Sequence, residues 1–199
     1  MEITLYEFGP SRSQRCRWAL LEAGLEYKSV EDRALMHSDE LRKIHPLGKF
    51  PAAVFGGRPL FESAAICTYV ADLVPEKNLI AASGTWERAL HDQWVAFCLS
   101  EMEAFLWHSA RNEFVLPEEK RLPSVFEQNA EAFATAAAAM DAALSGSAYL
   151  VGDRFSITDI IVSFTLNWGR RTKLLGPFAN LQAYLERLFE RPHCTLNKS

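Results

Sequence analysis

Up to about residue 73 the chain alternates short strand-like runs with helix-like ones, and from residue 85 onward the strands disappear. A change of apolar period of this kind demands two different layer types, so it constrains the fold more than any single motif. Residues 3–8 (Ile-Thr-Leu-Tyr-Glu-Phe) read as a first strand, stopped by Gly9-Pro10. Trp18, Leu21 and Leu25 then fall at helical spacing, and Gly24 marks the helix end. Tyr27 to Val30 reads as a second strand. Residues 38–44 read as a short helix ended by His45-Pro46, because proline disfavours the helical conformation of its predecessor. Pro51-Ala-Ala-Val-Phe and Pro59-Leu-Phe flank Gly56-Gly57 as a hairpin, and Ser63 opens a helix carrying Ile66, Cys67, Tyr69, Val70 and Leu73. The expected order is βαβαββα, a three-layer α/β unit.

Residues 85–112 keep helical period, with Trp86, Leu90, Trp94, Phe97, Met102, Phe105 and Leu106 at apolar positions. Residues 124–144 are rich in Ala, the strongest helix former. Ser156-Ile-Thr-Asp159 reads as a capping box, with Phe155 and Ile160 placed to form a hydrophobic staple. A last helix over 177–190 ends before Pro192. The expected organisation is therefore an α/β domain over 1–76, a linker over 77–84 and an all-helical domain over 85–199.

Acidic residues outnumber basic ones by 25 to 21, a net charge of -4, and no long basic stripe or recognition motif points to nucleic acid. The cysteines at 16, 67, 98 and 194 form no CxxC, and the histidines at 37, 45, 91, 108 and 193 form no HExxH, so no metal is expected. Scattered thiols suit a reducing compartment. The N-terminal residues lack the pattern of a secretion signal, and the most apolar run, 160–166, is far short of a membrane span. A soluble cytoplasmic protein is the expectation.

The stretch Gly9-Pro10-Ser11-Arg12-Ser13-Gln14-Arg15-Cys16-Arg17 lies where a strand hands over to a helix, and free amides with the helix dipole favour an anion there. Ser11 or Ser13 could donate a hydrogen bond to a bound thiolate; such a bond, at about 1.5–3 kcal/mol, lowers a thiol pKa by about one to two units. Either serine could equally be a plain helix cap. Cys16 replaces half of a redox pair and reads as a core residue, and Arg12, Arg15 and Arg17 read as steering charges or solvated helix residues. Phe50-Pro51 opens a strand with a residue that cannot donate to the ladder; a cis bond there would turn the Phe50 backbone toward an extended peptide. Glu62-Ser63 pairs a carboxylate for an α-ammonium with an N-cap hydroxyl and amides for a carboxylate, the two ends of an amino-acid head group.

The segment GKFPAAVFGGRPLFESAAICTYV resembles the Gly-Lys-x-Pro strand, hairpin and Glu-Ser-x-Ala-Ile helix of the cytosolic glutathione transferase superfamily. LYEFGPSRSQRCRWALLEAGLEY, SAYLVGDRFSITDI and NLQAYLERLFERP resemble its first strand and helix, its capping-box segment and its closing helix, so the resemblance covers nearly the whole chain. It implies a thioredoxin-like N-terminal domain (βαβαββα, mixed sheet) followed by an all-α domain, and a serine-type class, theta- or zeta-like or a related bacterial one. On this pattern the Phe50 backbone before Pro51 binds the cysteinyl part of glutathione, Glu62 and Ser63 hold its γ-glutamyl end, and Lys49 reaches the glycyl carboxylate. The catalytic serine six positions after the first-strand leucine is Ser11 when counted from Leu5. Ser13, in a Ser-Gln-x-Cys-Arg context, is the second choice. His45 stands where an asparagine is common.

The resemblance further implies a second-substrate cleft between the domains, with Glu103, Trp107, His108, Arg111 and Phe114 as its candidates, and a homodimer. The implied activity is glutathione S-transfer to a small hydrophobic electrophile. Isomerisation, dehalogenation or peroxide reduction by the same thiolate is an alternative, as is a non-catalytic interaction or regulatory protein of the same fold.

Overall fold

The computed structural model describes residues 1–197. The chain divides into two compact units, Met1–Arg88 together with the segment from Arg191, and Ala89–Glu190.

The first unit is built on a four-stranded sheet in the order β2-β1-β3-β4, where β1 is Ile3–Tyr6, β2 Lys28–Val30, β3 Ala52–Phe55 and β4 Arg58–Phe61. β1 runs parallel to β2 and antiparallel to β3, and β3 runs antiparallel to β4. Helices α1 (Ser13–Ala23), α2 (Asp39–Arg42) and α3 (Ser63–Asp72) fall between and after the strands, completing the βαβαββα order read from the sequence. Strand alternation sends Ile3, Leu5 and Glu7 inward. Cys16, Trp18, Ala19, Leu20 and Ala23 of α1 are buried, as are Ile66, Cys67, Val70 and Ala71 of α3, and the two helices pack together. Each fully buried large apolar side chain here stabilises the unit by about 1.5–3 kcal/mol.

Glycine sets the breaks. Gly24 ends α1 at φ 67°, with Leu25 N–H on the Leu20 carbonyl and Gly24 N–H on the Leu21 carbonyl, both 3.1 Å. Gly48 has φ 58°, and an added Cβ would lie 2.8 Å from His37 Cα, so the approach to Phe50 has room for nothing larger.

In the second unit α4 (Trp86–Phe97) starts just before the division, passes through a widened π turn, Cys98–Glu103, into α5 (Ala104–Ala110), and through a second, Arg111–Val115. Helices α6 (Val125–Ala143), α7 (Ile157–Arg171) and α8 (Ala179–Phe189) complete it. α7 is the core helix: Ile157, Ile160, Ile161, Val162 and Leu166 have no exposed surface. Its Gly169 lies against the Phe133 ring of α6, where an added Cβ would sit 2.6 Å from Cζ. The capping box is formed. Asp159 Oδ2 accepts from the Ser156 amide at 2.7 Å and the Ser156 hydroxyl at 3.0 Å, while Oδ1 accepts from Tyr184. Burial raises the Asp159 pKa, and the bonds from Tyr184 and Ser156 oppose that rise. Phe155 packs edge-to-face on Tyr149 at 6.3 Å. Among the described residues no helix is long and apolar enough to cross a membrane.

Candidate functional site

One row of the sheet gathers the candidate residues. Tyr6 pairs with Ala52, and Ala52 pairs with Phe61. The strand polarities mean that β1 ends, β3 begins and β4 ends at this row. The loop carrying Ser11, the Phe50-Pro51 bond and the Glu62-Ser63 step therefore all leave the sheet at the same end. The Phe50-Pro51 peptide is cis, as is Gly9-Pro10. The rings of Phe8 and Phe50 lie 6.5 Å apart, so the first loop and the proline turn are neighbours.

The two serines occupy different places. Ser11 is half-buried; its hydroxyl donates to the Phe8 carbonyl, lies 2.9 Å from Ser13 Oγ and accepts from the Ser13 amide at 3.1 Å. Ser13 is buried and its Oγ accepts from the Phe8 amide at 3.3 Å. Ser13 thus ties the turn together from inside, and Ser11 is the serine with surface left for a ligand. Cys16 is fully buried against Cys67, and burial raises its pKa well above the ordinary thiol value, the behaviour of a core residue.

At α3 the expected cap shifts by one residue. Ser63 is the first helical residue, and Glu62, at φ 69° and ψ 116°, occupies the cap position without a capping side-chain bond. That left-handed backbone is costly for a residue other than glycine, of order 1–3 kcal/mol. Ser63 Oγ instead accepts from Arg15 Nη1 at 3.3 Å. Arg15 is wholly buried, so neither a solvated nor a steering reading describes it. Its spacing from Ala19 and Ala23 puts it on the buried stripe of α1, a signal the sequence already carried. The result is a fixed positive charge behind the hydroxyl at a helix N-terminus, an arrangement suited to a carboxylate. Glu62 and Lys49 are both exposed.

His45 is buried, and its Nδ1 accepts the Leu47 amide at 3.1 Å while its ring packs 5.0 Å from Phe61. An asparagine oxygen could accept the same amide in a two-residue turn. Burial lowers the His45 pKa; the Glu62 charge opposes this and Lys49 adds to it. Glu7 was not singled out by sequence. It is a buried carboxylate that accepts from Arg17 Nε at 2.9 Å and Ser29 Oγ at 2.6 Å. Arg17 also pairs with Glu31, so it is engaged rather than merely solvated.

The helical unit separates its five candidates. Glu103 is the residue that differs from expectation: at the end of the first π turn it is buried and accepts from Thr165 of α7. A buried carboxylate bonded to a core helix is not available as a surface group, because exposing it would strip that partner. Trp107 is half-buried in α5, and His108 is exposed with Nδ1 3.3 Å from Asn129 Oδ1. Arg111 and Phe114 lie on the second π turn, Phe114 with 73% of its surface exposed.

Residues 1–72 match the glutathione S-transferase N-terminal domain and residues 91–192 match its C-terminal domain. The chain is 31% identical over 210 residues to a probable glutathione S-transferase GSTF1 of Oryza sativa subsp. japonica, covering 93% of this chain and 91% of that one. It is 32% identical over 152 residues to elongation factor 1-gamma of Prunus avium, covering 75% of this chain but spanning only 35% of that protein's length. Among solved structures, a sphingomonad glutathione S-transferase complexed with glutathione superposes with a TM-score of 0.83 at 26% identity, over 96% of this chain and 94% of that one. BphK, a bacterial GST solved as a ternary complex, gives 0.84 at 29% identity, over 96% and 95%. With both domains matched in order and a full-length relative above 30% identity, the chain belongs to the glutathione S-transferase superfamily and is a glutathione transferase-type protein.

Proposed function

We propose that the chain binds glutathione at the end of its sheet and stabilises the thiolate for attack on a small electrophile. The observation that carries this reading is the Tyr6–Ala52–Phe61 row, which delivers Ser11, Phe50-Pro51 and Glu62-Ser63 to one place. In this reading the γ-glutamyl carboxylate meets Ser63 and the first amides of α3, with the Arg15 charge behind them, and Glu62 takes the α-ammonium. The Phe50 backbone pairs with the cysteinyl residue and Lys49 with the glycyl carboxylate. Ser11 exchanges its neutral acceptor, the Phe8 carbonyl, for sulfur. A charged acceptor is worth about 1 kcal/mol more than a neutral one, so the bound thiol is acidified by about one unit. Orientation and this electrostatic term are the whole contribution to rate.

Trp107, His108, Arg111 and Phe114 are proposed to line the second-substrate side, and two copies of the chain to form a two-fold dimer. Isomerisation, dehalogenation or peroxide reduction would use the same bound thiolate. The likeness to elongation factor 1-gamma supports a second reading, in which the fold serves as an interaction module. Calorimetric titration with glutathione, followed by turnover of a chloronitroaromatic, separates the two. Micromolar-to-millimolar binding weakened by Ser63→Ala is expected. No detectable heat in the wild type would sink the enzyme reading.

A further inference from the structure

After Glu190 the chain leaves the helical unit, and its last described residues rejoin the first. They lie along α1 between two anchors. At the first, Arg191 Nε and Nη2 donate to Glu22 Oε1 and Oε2, both at 2.8 Å, and Trp18 Nε1 donates to the same carboxylate at 2.9 Å. At the second, Gln14 Nε2 donates to the Thr195 carbonyl at 2.6 Å, and Thr195 Oγ1 donates back to the Gln14 carbonyl at 2.7 Å. Between them the Cys194 amide closes a turn on the Arg191 carbonyl at 3.1 Å. The segment therefore runs antiparallel to α1, from its C-terminal end to its first turn.

The second anchor reaches the candidate nucleophile-activating loop. The Gln14 amide donates to the Ser11 carbonyl at 3.0 Å. Gln14 is thus held by Ser11 through its N–H and by Thr195 through both its carbonyl and its side chain. Thr195 and Asn197 also line a cavity of about 250 Å³ together with Gly9, Pro10 and Ser13. The bidentate Arg191–Glu22 pair already tethers the segment. The reciprocal Gln14–Thr195 bonds do something further: they fix the peptide next to the turn that presents Ser11.

We propose that Thr195 is a positioning residue for Ser11, acting through Gln14, and that the C-terminal segment is a strap that sets the aim of the Ser11 hydroxyl. This inference rests on the reading of Ser11 as the thiolate donor. A loosened strap lets the Ser11 turn sample orientations in which the hydroxyl points away from sulfur, so the thiolate loses stabilisation while glutathione, held chiefly at Ser63 and Phe50, stays bound.

The test is a pH titration of thiolate absorbance in the glutathione complex of the full chain, alongside glutathione affinity and turnover. Thr195→Val should raise the bound thiol's apparent pKa part of the way to the Ser11→Ala value, lower kcat by about three- to tenfold and leave glutathione affinity within about twofold. Thr195→Ser should restore the wild-type pKa, a rescue that mere loss of stability would not show. Adding Thr195→Val to Ser11→Ala should move the pKa no further. Gln14→Met removes the reciprocal donor and serves as a second variant if Thr195→Val folds poorly. An unmoved thiol pKa in these variants, where Ser11→Ala does move it, overturns the strap and leaves the Ser11 reading intact. A pKa that Ser11→Ala itself leaves unchanged removes both together.

Discussion

Arg15 of α1 is wholly buried and donates to Ser63 Oγ, the first residue of α3, across 3.3 Å. A guanidinium removed from water keeps its charge, because its pKa is too high for neutralisation to relieve the burial. The hydroxyl it meets is thereby polarised toward an incoming anion. Removing the charge by Arg15→Met should weaken glutathione binding by about tenfold or more, since a hydrogen bond to a charged group is worth about 1.5–3 kcal/mol. Calorimetry on protein whose circular dichroism matches the wild type reads this. An affinity change below about twofold would show that Arg15 serves the core alone.

The serines should separate by observable. Ser11→Ala should raise the apparent pKa of bound glutathione by about one unit and, by removing the acceptor of the Ser13 amide, cost about 0.5–1.5 kcal/mol of stability. Ser13→Ala removes the buried acceptor of the Phe8 amide and should cost about 1–2 kcal/mol in denaturant unfolding. The reverse pattern would exchange their roles.

Asp159 holds more than a cap. Its carboxylate takes the Ser156 amide and hydroxyl and the Tyr184 hydroxyl, all buried. Ser156→Ala should cost about 0.5–2 kcal/mol, the ordinary worth of a cap. Asp159→Ala leaves several buried donors without an acceptor and should cost about 3–5 kcal/mol. Equal losses for the two variants in urea unfolding would mean that Tyr184 finds another partner.

The strand and helix order was legible because the apolar period itself changes, and the Ser156–Asp159 box because its two residues are local. Long-range partners were not. Arg15 falls on the buried stripe of α1 by spacing alone, but its partner Ser63, far along the chain, is brought to it only by the α1–α3 packing. The expectation that Ser63 caps α3 missed by one residue, since spacing does not reveal that Glu62 takes a left-handed backbone. The burial of Glu103 is of the same kind, since its partner Thr165 comes from a helix far along the chain. The strap was invisible, because nothing in Arg191 or Thr195 names Glu22 or Gln14.

His45 gives the first unit a pH dependence whose sign is set by burial. Its folded pKa lies below the unfolded value of about 6.5, so the unfolded chain takes up the proton first as pH falls. Its contribution to stability is complete above about pH 6.5 and is lost as pH falls through the folded pKa. His45→Asn keeps an acceptor for the Leu47 amide and removes the titration. Urea midpoints of wild type and variant should therefore diverge below about pH 6.5, the wild type losing more than the variant. Parallel curves across that range would count against the assignment.

Gly48→Ala should be costly for two reasons, a left-handed φ and a Cβ placed 2.8 Å from His37 Cα. A loss of about 2–4 kcal/mol is expected, with glutathione affinity falling as the Phe50 turn shifts. A stable variant with unchanged affinity would show that this turn is pliable.

The row through Tyr6, Ala52 and Phe61 has a consequence for motion. Paired sheet rows open only with the cooperative unit that contains them. The four-residue α2 and the turns on either side of it have no comparable pairing. Amide exchange should be slowest along the row and faster between residues 31 and 47. Entry of the proposed ligand would then be timed by fraying of that outer stretch, while the paired row beneath it holds.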